Sequence, residues 1–184
     1  WSSDVSSSDL GRSKVHRNVI FRNASVPELP FSWIDTPTEE KLWTRLRSEC
    51  NESGSGCEAL AIPHNPNLSN GRSFEIPWRN APLEEQRRLA ALRAEMEPLV
   101  EMMQIKGESE CRNGFPDVAG GPDELCDFEK IRDLAAPEPC AEGETGSGAM
   151  RGNGCVSRLD YARYALIEGL REESRIGVNP YRFG

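Results

Sequence analysis

The chain has 184 residues, and its 22 Lys and Arg residues against 30 Asp and Glu residues give a net charge of −8 at pH 7. The length suits about one domain, and the acidic balance argues against a nucleic-acid partner, because the phosphate backbone attracts basic surfaces. Hydrophobic residues make up 37% of the chain, enough for a modest core. The longest apolar run, residues 59–62, is far shorter than the ~20 residues of a membrane-spanning helix, so we expect no membrane span.

The first predicted element is a strand over residues 15–22. Val15, Val19 and Phe21 alternate with polar side chains, as on a half-buried strand, and Ile20 is the exception. A second strand is predicted over residues 58–63, which are almost wholly apolar. Such a run is typical of a strand that is buried on both faces of a parallel sheet.

Two helices are predicted in the first hundred residues. One begins at the capping box of residues 36–39, which has Pro37 at the first helical position, and it ends near Cys50. The other covers residues 82–97, with Glu84 and Glu85 in its first turn and Pro98 as its stop. Residues 99–105 are then predicted to form a third strand.

The second half of the chain is predicted to be mostly loop. Residues 107–156 contain more Gly, Pro and Cys than a regular element tolerates, and we expect a long loop excursion braced by cross-links. A last helix is predicted to start at the Ser157-x-x-Asp160 motif and to end at Gly177 and Pro180.

This alternation of strands and helices predicts an α/β fold with parallel strands and right-handed crossovers. Three strands cannot close a barrel, and the open sheet edges would be exposed. The chain also starts at Trp1 without the features of a signal peptide. We therefore expect residues 1–184 to be a single partial domain that pairs with the remainder of the same polypeptide, with residues 107–156 as a Cys-containing insertion.

Six cysteines are present, and none of them forms a Cys-x-x-Cys motif, so a zinc ribbon is not expected. Disulfides are the favoured interpretation, and they imply a periplasmic or extracellular location. Six buried free thiols in a cytosolic protein remain the alternative. Six cysteines allow 15 pairings, among which Cys50 to Cys57 is favoured because the loop between them is short and Gly-rich. The disulfide candidates are Cys50, Cys57, Cys111, Cys126, Cys140 and Cys155.

Five polar residues are candidates for a functional site. His64 follows the second predicted strand and His16 lies in the first, and each is either a ligand or a structural hydrogen-bonding residue. Asn65 and Asn70 lie in a loop rich in turn formers, where they either orient a ligand or cap the loop. Lys106 stands next to Gly107 and either holds a phosphate or carboxylate or belongs to a solvated charged loop.

Several motifs resemble one bacterial family, domain-of-unknown-function family 3604. They occur in order over nearly the whole chain, in residues 16–22, 61–65, 68–71, 104–107, 123–129 and 179–184. That family is similar to the polymerase and histidinol phosphatase (PHP) superfamily of metal-dependent phosphoesterases, which implies a segment of a distorted barrel.

The resemblance implies a metal-dependent hydrolase that acts on phosphoesters or a similar small anionic substrate. His16 and His64 would match the two single histidines of the ligand pattern, and Lys106 would neutralise the substrate. The Glu and the Asp-x-His of the pattern would fall just before Trp1 and just after Gly184, so we expect the isolated chain to bind its divalent metal (Mn, Zn or Fe) incompletely and to be inactive. The alternative is a non-catalytic binding or structural module braced by disulfides.

Overall fold

The computed structural model describes residues 2–9, 13–115, 121–131, 140 and 155–184, and for residues 2–9, 13 and 14 it describes the backbone alone. Its main sheet has three strands in the order β1-β2-β3: β1 (Ser2–Asp9), β2 (Ser13–Phe21) and β3 (Ala59–His64). β2 and β3 confirm the two strands predicted in this part of the chain. β1 was not predicted, since a run of serines lacks the apolar alternation that marks a strand.

Both strand pairs are antiparallel, which makes the prediction of parallel strands wrong. The described residues form a mixed α/β structure with small antiparallel sheets and no closed barrel, so the expected segment of a PHP-like distorted barrel is wrong as well. β2 and β3 pair with Phe21 opposite Ala59 and His16 opposite His64. The chain therefore leaves β2 and enters β3 at the same end of the sheet.

The connection between β2 and β3 explains this direction. Helix α1 (Glu39–Leu46) starts near the middle of β2, where Glu39 Oε1 lies 3.8 Å from Arg17 Nη1. Its π-helical extension ends at Asn51, whose amide bonds the backbone N and O of Ala59 at 2.7 and 3.0 Å. Residues 23–38 therefore return from the end of β2 to its middle, and α1 then runs forward to the same end of the sheet. β3 starts at that end, so it runs antiparallel to β2.

Helix α2 (Leu83–Met96) packs with α1 on one face of the sheet. The alternation of β2 and β3 sends Val19 and Ala61 into this apolar core. The other core residues of the cluster come mainly from the two helices and the loops beside them: Phe31, Leu42, Trp43, Leu46, Trp78, Leu89, Leu92 and Met96. The predicted helices 36–50 and 82–97 are therefore confirmed in type, although the first is capped by Thr38, whose hydroxyl accepts from Lys41 N.

The predicted strand 99–105 is reduced to β4 (Met103–Gln104), which forms a hairpin with β5 (Gly107–Glu108). The residues just before β4 make backbone hydrogen bonds to other segments of the chain. Val100 N donates to Gly184 O at 3.1 Å, and Glu101 N donates to Pro63 O at 3.1 Å. These bonds place Glu101 beside the end of β3.

The C-terminal helix α3 (Ala162–Ile176) follows a short 3-10 turn, Arg158–Asp160, that is capped by the Ser157 side chain. Gly177 ends α3 in the left-handed conformation, with a φ of 80°. α3 packs against a small core made of Cys111, Phe115, Cys126, Val156, Tyr161 and Tyr164.

All six cysteines form disulfides, which confirms that interpretation. The pairs are Cys50–Cys57, Cys111–Cys126 and Cys140–Cys155. Within the predicted loop excursion, the structure describes β5 and the 3-10 turn Glu124–Asp127, while residues 116–120, 132–139 and 141–154 lie outside the described residues. Among the helices that are described, none has the length and apolar character needed to cross a membrane.

Candidate functional site

The two histidines of the chain lie side by side on adjacent strands. His16 of β2 and His64 of β3 are direct cross-strand partners, their ring centroids are 6.2 Å apart, and the rings are nearly parallel. His16 points away from the helices, because its neighbours Val15 and Arg17 are buried on the opposite face. His64 points the same way, because it is the direct cross-strand partner of His16. The antiparallel register therefore brings together two imidazoles that are 48 positions apart in the sequence.

A carboxylate orients one of these rings. Glu101 Oε2 lies 2.8 Å from His64 Nδ1, and the Asn18 amide nitrogen lies 3.4 Å from the same Nδ1. An ionised carboxylate can only accept, and its contact is much shorter than that of the Asn18 amide nitrogen, which is itself a donor. We therefore assign the proton to Nδ1, so that in the neutral ring the lone pair resides on Nε2 and the Asn18 contact is not a hydrogen bond. Glu101 itself is held by the Asn65 backbone N at 3.0 Å and the Gln104 amide at 3.4 Å.

Asn65 follows His64 directly and is the most unusual polar residue of the site. It adopts the left-handed conformation with a φ of 51°, and its side chain is only 1% exposed. Neither its Nδ2 nor its Oδ1 has a hydrogen-bond partner among the described residues. A buried amide without a protein partner costs folding free energy unless a buried water pairs with it.

Lys106 lies in the turn between β4 and β5, and its side chain is half-buried. Asn67 holds this turn by donating from Nδ2 to Lys106 O at 2.9 Å, and Lys106 N donates to Gln104 Oε1 at 3.1 Å. Gly107 is required here, because its φ is +84° and an added Cβ would lie 2.5 Å from Glu129 O. Through Gln104, the turn is connected to the carboxylate that orients His64.

Asn70 is buried, with a φ of 56°, and it precedes Gly71 in a loop that packs on the turn Arg158–Asp160. In this loop the Asp160 carboxylate accepts from Gly71 N at 2.7 Å and from Ser69 Oγ at 3.3 Å. The loop is therefore held rigidly against the C-terminal part of the chain. The substrate-binding role expected for Asn70 stays a prediction.

A buried ion cluster supports the site from the other face of the sheet. Arg17, next to His16, donates from Nε to Glu97 Oε1 at 2.8 Å, Trp43 Nε1 donates to the same oxygen at 2.9 Å, and Arg93 Nη2 lies 3.1 Å from Glu97 Oε2. Burial by itself would raise the pKa of Glu97, but the two guanidinium groups hold it below its ordinary value. Burial would lower the pKa of Arg17, and Glu97 raises it.

Imidazoles are residue types that could hold a divalent cation, and the spacing of the histidine pair can be compared with that of two such ligands. Given a metal–nitrogen distance of about 2.0–2.1 Å, two rings on one ion have centroids on the order of 5–6.5 Å apart, and the observed separation is 6.2 Å. A carboxylate on the far nitrogen of a ligating histidine is the usual second-shell partner. Cys111, Asp123 and Cys126 also converge, but the disulfide between the two cysteines removes their thiolates.

The sequence predicted His16 and His64 as partners but missed Glu101. Its signal was weak, because Glu101 lies in a predicted strand 37 positions after His64, and only its backbone bond to Pro63 O places it at the end of β3. Asn67, which holds the Lys106 turn, was likewise one of several carboxamides in a loop.

The fold and the site together define a small mixed α/β structure with a histidine–carboxylate cluster on the face of an antiparallel sheet that is opposite the helices. The chain matches the model of the family described as "Protein of unknown function (DUF3604)" over residues 4–184, and it belongs to this family. No curated protein and no solved structure matches it. The family description carries no activity, so a function has to be inferred from the site.

Proposed function

We propose that this chain contributes metal-binding residues to a metal-dependent hydrolase that acts on phosphoesters or similar small anionic substrates. The observation that carries the proposal is the cross-strand pair of His16 and His64, whose centroids are 6.2 Å apart, with Glu101 bonded to His64 Nδ1. The resemblance to the PHP superfamily implies the same chemistry. This resemblance is a second line of support, and the geometry of the histidine pair remains the observation on which the proposal rests.

Each residue of the site has a role in this proposal. His16 and His64 are the metal ligands, and Glu101 is a positioning residue that keeps the lone pair of His64 on Nε2. A divalent cation such as Mn, Zn or Fe supplies Lewis-acid activation of water when bound. The Lys106 ammonium neutralises an anionic substrate, and Asn65 and Asn70 are the residues that we propose for substrate binding.

The first test is a Zn²⁺ titration followed by NMR of the histidine ring protons. The chain has two histidines, so each ring gives its own signal. We expect both signals to shift with one common midpoint, because one ion contacts both rings. His64→Ala should weaken binding at least tenfold, and Glu101→Gln should weaken it about 10–100-fold, the usual loss for a second-shell partner.

Glu95→Gln is the matched control, because Glu95 is an exposed carboxylate on α2, away from the histidines. It should leave the midpoint unchanged. Two independent midpoints, or no shift of either ring, would remove the metal site and the proposal with it.

The second test measures hydrolysis of bis(p-nitrophenyl) phosphate with Mn²⁺, Zn²⁺ or Fe²⁺ added. A longer form of the chain with further ligands should turn over this phosphodiester, and Lys106→Met should raise KM more than it lowers kcat, because Lys106 acts on the substrate charge. A common NMR midpoint without turnover in any form would favour the binding module over the enzyme.

The three disulfides are compatible with both functions and do not discriminate between them. They do support a location outside the reducing cytoplasm. We propose a periplasmic or extracellular location on this ground.

A further inference from the structure

Three aliphatic side chains lie on the same face of the sheet as the histidine pair. Side chains two positions apart on a strand point to the same face. Ile62 and Leu60 of β3 therefore share the face of His64. Ile20 of β2 shares the face of His16 in the same way. We call Ile20, Leu60 and Ile62 the apolar strip.

The register of β2 and β3 makes the apolar strip continuous with the histidine pair. Ile20 is the direct cross-strand partner of Leu60, and Ile62 is the partner of Asn18. Successive rows on one face of a sheet are about 7 Å apart along the strands. Ile62 therefore lies in the row beside the histidines, and the pair of Ile20 and Leu60 lies in the row after it.

The apolar strip is open enough to contact a ligand. Ile20 is 38% exposed, and Leu60 and Ile62 are half-buried. On this face of β2 and β3, no charged side chain stands between the histidine pair and the ion pair of Arg22 and Glu58 at the other end of the strands. Contiguous exposed apolar side chains, unlike single ones, are typical of contact surfaces.

The position of the strip beside the histidines indicates its occupant. When a phosphate group lies at the histidine pair, the organic group that it carries is within reach of the row of Asn18 and Ile62, roughly 7 Å along the strands. Aliphatic side chains form no hydrogen bonds, so a polyhydroxyl group would lose water on the strip without gaining partners there. An apolar group loses no hydrogen bonds and gains free energy from burial.

We propose that the apolar strip binds the organic group of the substrate, so that the site prefers aryl and alkyl phosphates to sugar phosphates. This inference rests on the proposed function, because it places the phosphate group at His16 and His64. Ile62 is the specificity-determining residue beside the histidines, and Ile20 and Leu60 extend the apolar surface for a longer group.

The test is NMR of the methyl groups of the chain with Zn²⁺ present, during titration with phenyl phosphate or with glucose 1-phosphate. We expect phenyl phosphate to shift the methyl signals of Ile20 and Ile62, because its ring lies on them. It should bind about tenfold more tightly than glucose 1-phosphate, because the ring buries apolar surface. The methyl signals of Ile34, which is 76% exposed in the loop before α1, should not shift.

Ile62→Thr keeps a β-branched side chain of similar shape and lowers its apolar character. It should weaken the binding of phenyl phosphate about threefold and leave the binding of glucose 1-phosphate unchanged. Ile34→Thr is the matched control and should leave the binding of both ligands unchanged. Circular dichroism should show that both variants are folded.

The inference is overturned if the two phosphates bind equally, if the Ile34 signals shift as much as those of Ile62, or if Ile62→Thr binds phenyl phosphate like Ile34→Thr. These are the results expected if the apolar strip packs against another part of the polypeptide instead. The histidine ring signals separate this failure from that of the proposed function. A common Zn²⁺ midpoint without a preference for phenyl phosphate overturns the strip alone, whereas no Zn²⁺ shift of either ring overturns both.

Discussion

Two parts of the molecule bury their side chains in different ways. The first part is the sheet with α1 and α2, and the second is the disulfide-braced part around α3. In the first, helices and strands contribute a continuous apolar core that includes Leu42, Leu46 and Met96, with one ion cluster at its edge. In the second, Cys111 and Cys126 are themselves core residues, packed with Phe115, Tyr161 and Tyr164.

The second part also buries polar groups between loops. Lys130 Nζ, on a side chain that is 5% exposed, contacts Glu108 Oε1 and the Cys111 carbonyl, and burial lowers the pKa of Lys130. Tyr164 OH donates to Arg112 O at 2.5 Å. Regular elements are short in the second part, so its apolar core is small. Covalent cross-links and buried polar contacts therefore supply stability that the larger apolar core supplies in the first part.

The largest effect is expected from the ion cluster of the first part. Glu97→Gln should lower the free energy of unfolding by about 3–5 kcal/mol, because it leaves Arg17 and Arg93 buried without a counter-charge. Urea unfolding followed by tryptophan fluorescence measures this loss. Glu95→Gln on the same helix is exposed and should leave the free energy nearly unchanged. Equal values for the two variants would show that the buried charges do not matter.

Acid should produce the same loss more gradually. The folded pKa of Glu97 lies below its ordinary value of 4.5, so its contribution is complete above pH 4.5 and is lost as the pH falls through the folded pKa. The difference in unfolding free energy between the unmodified chain and Glu97→Gln should therefore narrow below pH 4.5. A constant difference across this range would contradict the assigned charge state.

The contribution of a disulfide to the free energy of unfolding should increase with the length of the loop that it closes. Cys111 and Cys126 are 15 positions apart, whereas Cys50 and Cys57 are 7 apart. Replacing each pair with alanine should cost about 3 kcal/mol for the longer loop and about 2.4 kcal/mol for the shorter one. Thermal unfolding of the two double variants compares them, and a larger loss for the Cys50–Cys57 pair would contradict the ranking by loop length.

The smallest effect is expected from the exposed pair of Arg22 and Glu58, 2.6 Å apart at the end of β2 and β3. Arg22→Gln should leave the urea midpoint within experimental error, because solvent screens the pair and ordering the side chains offsets the attraction. A clear shift would show that this end of the sheet is less hydrated than its exposure indicates.

The sequence suggested those site residues that lie in a local pattern and missed those whose place depends on contacts between distant segments. His16 and His64 were candidates because of their places in and just after two predicted strands, and the family resemblance, not the spacing, paired them as metal ligands; that role stays a prediction. Their partner Glu101 was not a candidate, because its position depends on backbone bonds to Pro63 rather than on any local pattern.

The sequence by itself determined the types of β2, β3, α1, α2 and α3, the Cys50–Cys57 pair and the family. These depend on periodicity, capping residues and short loops, which act over a few neighbouring positions. Only the tertiary structure decided the direction of β3. An apolar run such as residues 59–62 suits a parallel or an antiparallel strand, and here the return pass of residues 23–38 selects the antiparallel one. That choice sets the register, and the register brings His16 opposite His64.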